Sequence, residues 1–402
     1  MEIAVIGAGA AGCFCAIELK RRHPDASITI YEKGKHPMAK LAITGGGRCN
    51  ITNSFRDAVS LTKIYPRGER LMKRALKVFG NREAMQWFEN EGVSLTVQDD
   101  GCVFPKSQDA MQVVRTLEKL MKDLHISTRC NHRLNGVSAL EQGGYSLEFG
   151  NEAEICADKV IVATGSPDKK LCGIFSAMGI ATLEPVPSLF TFSLPGDPIT
   201  GLMGTVVENA ATAICSTSFR ATGPLLITDW GMSGPAILKL SSYAARYLAE
   251  TGYNARLSIN WAGNKSGEAV LKEIIRLEAL SPKKLVASTG PEYIPSRLWQ
   301  HLVCASGARR DIRWAEIGTK GKNRLVEQII NDEHRINGKS RHRDEFVTCG
   351  GISLSEVSMN TLESKRYPGL YFIGEMLDVD AITGGFNLQA AWSTAHIAAS
   401  SL

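Results

Sequence analysis

No apolar run in this chain of 402 residues approaches the ~18 residues that a bilayer crossing needs, so no membrane-spanning helix is expected. The chain opens on the strand-like Met1-Glu2-Ile3-Ala4-Val5-Ile6, without a charged segment leading into an apolar one, and the expectation is therefore no export and a cytoplasmic location. Ten cysteines are present without regular spacing, which argues against a disulfide framework and for reduced thiols packed as small hydrophobes. Cys13 and Cys15 stand two apart on an expected helix, where their side chains diverge and cannot share a metal. His23, His36, His125, His132, His301, His334, His342 and His396 form no zinc-like spacing, and no metal is expected. Repeats, low-complexity tracts and a second Gly-x-Gly-x-x-Gly are also absent. Gly231-Met232-Ser233-Gly234-Pro235 has the outline of a nucleophile elbow, but proline fills its last glycine position and no Asp/His order supports a triad; it reads as a helix cap.

What remains is an ordinary globular balance of 44% apolar, 22% charged and 7% aromatic residues, long enough for two to three domains. The 38 glycines exceed the usual ~7%, and they cluster at Gly45-Gly46-Gly47 and Gly384-Gly385, as where backbone approaches a ligand. The net charge of +5 is unevenly spread: Lys63, Arg67, Arg70, Lys73, Arg74 and Lys77 face only Glu69 between Leu61 and Gly80.

Ile3 to Ile6, a turn at Gly7, a helix over Ala10 to Arg22 and a strand over Ser27 to Tyr31 make a βαβ unit. Helical stripes follow at Glu69 to Phe79, Arg82 to Glu91 and Ala110 to Leu124, and Lys159 to Ala163 reads as a buried strand. Prolines at 185, 187, 195 and 198 mark a boundary, β-rich sequence follows, Ala236 to Glu250 reads as one helix, and Gly267 to Ile330 as a small helical unit. Gly369 to Gly374 is again a buried strand. This order fits an α/β, Rossmann-type domain interrupted by an insert.

Gly7-Ala8-Gly9-Ala10-Ala11-Gly12 fills a dinucleotide fingerprint, with Gly7 for the turn, Gly9 for the approach of pyrophosphate and Gly12 for helix–strand packing. Glu32, twenty residues beyond Gly12, suits ribose hydroxyls, and Lys33 follows it. The stretch from Lys40 through Thr44, Gly45, Gly46, Gly47, Arg48, Cys49, Asn50 and Asn53 places glycines among cations, amides and hydroxyls, a loop able to wrap phosphate and ring edges. Gly374, Glu375 and Asp378, then Gly384, Gly385, Phe386, Asn387 and Leu388, offer a carboxylate for hydroxyls and backbone N–H groups at a helix start. Ala163, Thr164 and Gly165 end a strand where a ligand would lie.

These segments resemble the flavoprotein family of BaiN-like and YhiN-like, or HI0933-like, proteins, with Lys40-Leu41-x-x-Thr44-Gly45-Gly46-Gly47-Arg48-Cys49-Asn50 and Gly374-Glu375-x-Leu377-Asp378-Val379 as signatures. Val103-Phe104-Pro105, Gly231 to Pro235 and Thr348-Cys349-Gly350-Gly351 fall in the same family order. The resemblance implies FAD held by these motifs and an α/β fold, a two-part Rossmann-type FAD-binding domain with an inserted β-barrel and a small helical domain. The expected boundaries are then 1–188 for the first FAD-binding part, 189–262 for the barrel, 263–332 for the helical insert, 333–345 for the barrel's return and 346–402 for the second FAD-binding part. Ser166-Pro167-Asp168-Lys169-Lys170, Asp229, Ala381 and Phe386 depart from the family pattern and weaken any transfer of substrate. The activities implied are NAD(P)H-driven reduction of a polarised C=C in a bile-acid-like enone or another small molecule, reduction of uridine to dihydrouridine in ribosomal RNA, or aminoacetone-type amine oxidation. NAD(P)H is expected as a transient donor. Arg48 and Lys40 are candidates to meet negative charge developing on a conjugated oxygen, or equally to bind FAD itself. Cys49 or Cys349 is a candidate proton donor. The basic stretch and Arg309, Arg310, Arg313, Lys320, Lys322 and Arg324 leave RNA and a small molecule both open as partners.

Overall fold

The computed structural model describes residues 1–56, 60–150, 154–339 and 347–402, and the chain divides into two compact units, Met1–Val186 with Val347–Leu402, and Pro187–Phe346. The expected boundary at 345/346 lies outside the described residues. In the first unit four strands read from the sequence, β1 (Glu2–Ile6), β2 (Ser27–Tyr31), β4 (Lys159–Val162) and the strand Leu370–Phe372, form a parallel sheet together with β3 (Ser127–Arg129), a polar, exposed edge strand that the sequence reading did not single out. Its order is Leu370–Phe372, β4, β1, β2, β3. Ile3 pairs with Ile28 on one side and Lys159 on the other, so the order reverses at β1 and opens a crevice at its C-terminal end.

Both faces of β1 are covered, which is why Ile3 to Ile6 shows no polar alternation. Helix α1 (Ala10–Arg22) covers one side, and its Phe14 meets Trp87 and Trp392 at ring distances of 4.6 and 5.5 Å. Helix α2 (Glu69–Val78) buries Leu71, Met72 and Ala75. Val78 is exposed, not inward as its spacing suggests, because the helix ends there and Phe79 takes the core position. Helix α3 (Phe386–Ser401), which carries Trp392, is buried over most of its surface. Among the described residues no helix is long and apolar enough to cross a membrane.

The second unit is an antiparallel sheet of β5 (Phe192–Ser193), β6 (Val206–Ile214), β7 (Arg220–Ile227), β8 (Gly231–Ser233), β9 (Asn254–Asn260) and β10 (Asp332–Asn337), in the order β5, β8, β7, β6, β9, β10. The bridge between Phe192 and Lys339 and the bond from Ser193 N to Gly338 O at 3.2 Å bring its two edges together, closing it into a near-complete barrel. Helices Gly267–Leu280, Ser296–Ala305 and Gly318–Ile330 lie between the last two strands. They do not build a core of their own: Val270, Leu298 and Leu325 share one core with Trp261 and the strand residues Leu225 and Leu257. The expected helix over Ala236 to Glu250 is two helices, Pro235–Tyr243 and Ala245–Glu250, broken at Ala244, which keeps Leu240 and Leu248 both buried.

One buried charge cluster ties the barrel's last strand to the turn after β5. His334 Nδ1 lies 2.7 Å from Asp197 Oδ2 and its Nε2 lies 3.0 Å from Asp332 Oδ2, while Trp261 Nε1 donates to the same Asp332 oxygen at 2.8 Å. Burial disfavours the charged imidazole, but pairing with Asp197 and Asp332 outweighs it and pushes His334 up to about 9. The folded value lies above the unfolded one, so this contribution is complete below the ordinary imidazole value of ~6.5 and is lost as pH rises through 9. The urea midpoint of the parent should therefore exceed that of His334→Gln by its full, constant margin at pH 5–6, and the two should converge by pH 10. A constant difference across that range would remove the charged imidazole from the account.

Candidate functional site

The site grows from the turn after β1. Gly7 has φ 106°, and a Cβ there would strike the Ala163 carbonyl; at Gly12 a Cβ would strike the Gly7 carbonyl, so helix α1 can lie against the strand only as glycine. At Gly9 a Cβ would meet nothing within 4 Å. Packing therefore does not require glycine there, whereas a ligand approaching the backbone does. Gly9 caps α1 with no side-chain hydrogen bond and no acid in the first turn, so no capping side chain meets the amides that a helix start leaves without intrahelical partners.

The three glycine-rich segments interlock here. Met38 N donates to Ala8 O at 2.7 Å, which seats the second segment beside the first. Residues Ala39–Gly47 begin as a helix that breaks at Thr44, and Gly45, Gly46 and Gly47 run on at φ 57°, 68° and 82°. Gly46 and Gly47 also face open space, and Ile43, at 63% exposure, lies uncovered on the same loop. A Cβ on Gly374 would reach Ala11 Cβ at 3.0 Å, and one on Gly385 would strike the Thr52 carbonyl. Helix α3 then starts at Gly385, again without a side-chain cap. Two uncapped helix starts and an open glycine cradle fit a long anionic dinucleotide with a ring at one end.

Glu32 accepts from Ala8 N at 2.9 Å and Gly34 N at 2.7 Å, one bond to each oxygen, so each keeps a lone pair for a hydroxyl. Lys33 lies exposed at the same cavity. Lys40 Nζ donates to Ser166 Oγ at 2.7 Å, Ser166 to Glu375 Oε1 at 2.8 Å, and Thr348 N to that same oxygen at 2.7 Å. Ser166 was not legible as a site residue, since only the fold brings it to Lys40. Thr164 Oγ1 approaches Met376 Sδ at 3.3 Å, and Gly165 lies against Glu375. Asp378 Oδ1 accepts from Gly350 N at 2.9 Å. Arg48 is exposed, its guanidinium 4.2 Å above the Phe104 ring and its Nε donating to Gly45 O at 3.2 Å.

Several candidates are buried or engaged in internal hydrogen bonds. Cys49 is fully buried at φ 60°, and burial pushes its thiol up to about 12, so it stays a protonated thiol at neutral pH. Cys349 is equally buried. Asn387 is spent on both backbone groups of Ala381, at 2.8 and 2.9 Å, and Asn53 ties Gly384 O to Phe55 N at 3.0 and 2.9 Å. Asn50 Oδ1 accepts from Val103 N at 3.2 Å. Phe386 is buried against Phe55 and Tyr65, Leu388 is half-buried on the first turn of α3, and Tyr65 OH donates to Phe386 O at 2.9 Å. Below the loop a buried Arg67–Asp380 pair joins the residues before α2 to those before α3. Burial disfavours the Arg67 charge, but Asp380 beside it raises Arg67 above its ordinary value. Arg67 is therefore not available to track phosphates.

Residues 1–401 match the family model described as "HI0933-like protein Rossmann domain". The chain is 31% identical, over 100% of its length and 98% of the relative's, to a "Ribosomal RNA dihydrouridine synthase" of Haemophilus influenzae. It is 27% identical, over 99% of its length and 98% of the relative's, to a "3-dehydro-bile acid delta(4,6)-reductase" of Clostridium scindens. Among solved structures, a 3-ketosteroid-delta4-(5alpha)-dehydrogenase from Rhodococcus jostii RHA1 superposes with a TM-score of 0.50 over 99% of this chain and 97% of that one, at 12% identity, a likeness of fold alone.

Proposed function

Because the chain belongs to the HI0933-like protein family, we propose that it is an FAD-dependent oxidoreductase that reduces a polarised C=C bond, with NAD(P)H as a transient donor. The observation that carries this is the open space over Gly9 at the uncapped start of α1. FAD, when bound, supplies hydride transfer at its ring. The amides of Ala10 and Ala11 bind its pyrophosphate, and Glu32 its ribose hydroxyls. The uncapped amides at the start of α3 would hold the flavin ring. Arg48 and Lys40 hold positive charge at the loop, where negative charge developing on a conjugated oxygen would be met. Purified protein should show flavin absorbance bands that denaturation releases as free FAD, and those bands should bleach with NADH or NADPH. A colourless chain after reconstitution with FAD would end the proposal.

A second reading, uridine in ribosomal RNA as the substrate, is favoured by helix α2. Arg70, Lys73, Arg74 and Lys77 are exposed at spacings of three and four residues and share one face. Arg74 is engaged with Asn360 at 3.0 Å, which leaves Arg70, Lys73 and Lys77 as the probe. The second basic set is weaker: Lys322 pairs with Glu278, and Arg309 lies near Asp311 and Glu316. The relative named for ribosomal RNA covers the whole chain. Changing Arg70, Lys73 and Lys77 to Glu should weaken RNA binding at least ~10-fold at moderate salt and flatten its salt dependence, with the flavin spectrum unchanged. Unaltered RNA reduction in that variant would leave the small-molecule reading.

A further inference from the structure

Beyond the fingerprint, the C-terminal ends of β1 and β2 border a cavity whose walls are the apolar parts of Ile6, Tyr31, Leu134 and Leu171, with Glu32 beside them. Apolar walls next to a ribose-binding carboxylate suit a purine nucleoside. At this cavity two residues from distant segments meet: Arg133 Nη1 lies 3.1 Å from Asp168 Oδ2. The other oxygen of Asp168 accepts from Leu171 N at 2.8 Å and caps the helix Lys169–Ala177. Lys33 and Lys170 line the same cavity and give its rim positive charge, with Lys170 Nζ donating to Asn135 Oδ1 at 2.9 Å. The pair itself is half-exposed, at 51% and 45%, so it adds little to folding, and both of its members line the cavity.

Resting on the FAD reading above, we infer that Arg133 and Asp168 form a latch over the adenosine half of the cofactor and set how long FAD stays bound. The latch positions the nucleotide and takes no part in the reaction. Asp168 fixes the guanidinium by one bond, and the remaining N–H donors of Arg133 face ligand or solvent. Asp168→Asn keeps a helix cap and removes the charge, and Arg133→Gln removes the guanidinium.

The test is the rate at which FAD leaves the holoenzyme on dilution, read from the rise in flavin fluorescence, with the visible absorbance bands recorded beside it. Each single variant should release FAD about tenfold faster with unchanged bands. The double variant should be no faster than either single one, because the pair acts as a unit, and Arg133→Lys should recover part of the residence time. Release within twofold of the parent in both single variants, or multiplying effects in the double variant, overturns the latch while FAD reading stands. A parent that takes up no FAD overturns both.

Discussion

Gly9→Val is expected to abolish FAD uptake, weakening it at least ~100-fold, while the folded chain survives. The reason is a contrast between neighbouring glycines. At Gly9 an added Cβ meets nothing within 4 Å, so the branched side chain costs the apoprotein little and occupies only the cofactor's approach. At Gly12 an added Cβ runs into the Gly7 carbonyl, so Gly12→Val should prevent α1 from seating on β1 and yield insoluble protein. Circular dichroism and thermal melting of Gly9→Val should match those of the apoprotein, and titration with FAD should show no saturable binding. Retention of bound flavin by Gly9→Val would remove the pyrophosphate from the start of α1 and with it the proposed cofactor geometry.

The second large effect is expected at the Arg67–Asp380 pair. Asp380 is fully buried and the Arg67 side chain is 13% exposed. Asp380→Asn leaves a guanidinium in the interior with a neutral partner, and the loss should be about 3–5 kcal/mol in urea unfolding. Arg67→Met with Asp380→Leu removes both charges together and should recover most of that loss, since an ion pair replaced by apolar groups of similar volume often breaks even. Because the pair joins the segment before α2 to the segment before α3, Asp380→Asn should also raise the dissociation constant for FAD through displacement of the α3 start. A loss below ~1 kcal/mol in the single variant would mean that water reaches the pair.

The opening βαβ segment of the first unit was legible in the residues. Ile3 to Ile6, Gly7 to Gly12, Ala10–Arg22 and Ser27–Tyr31 are local patterns: an unbroken apolar run, a turn that needs φ of 106° at Gly7, a helix with small residues on its packed face. The Gly45 to Gly47 break was legible for the same reason, since only glycine runs easily through three successive left-handed residues. The order of the sheet was not. That β1 lies between β2 and β4, with Leu370–Phe372 on the far side of β4, depends on pairings across more than a hundred residues.

Side-chain roles divided along the same line. The types Lys40, Glu32 and Arg48 announced positive and negative positions, and the fold gave each its own partners: Ser166 for Lys40, the amides of Ala8 and Gly34 for Glu32, and the Phe104 ring for Arg48. Cys49 and Asn387 had the right chemistry on the right motif, yet their side chains turn inward, one packed away from solvent and the other closed on Ala381. Motif spacing specifies where a backbone goes but not which side of it faces the opening. Ser166, Arg133 with Asp168, and Arg67 with Asp380 carried no local signal at all, because a hydrogen bond or ion pair between distant segments exists only once the chain has folded. The sequence alone therefore determined the fingerprint, the glycine turns and the basic face of α2. The tertiary structure decided which charges remain available, because burial and long-range pairing had already claimed Arg67 and shut Cys49 away before any ligand arrives.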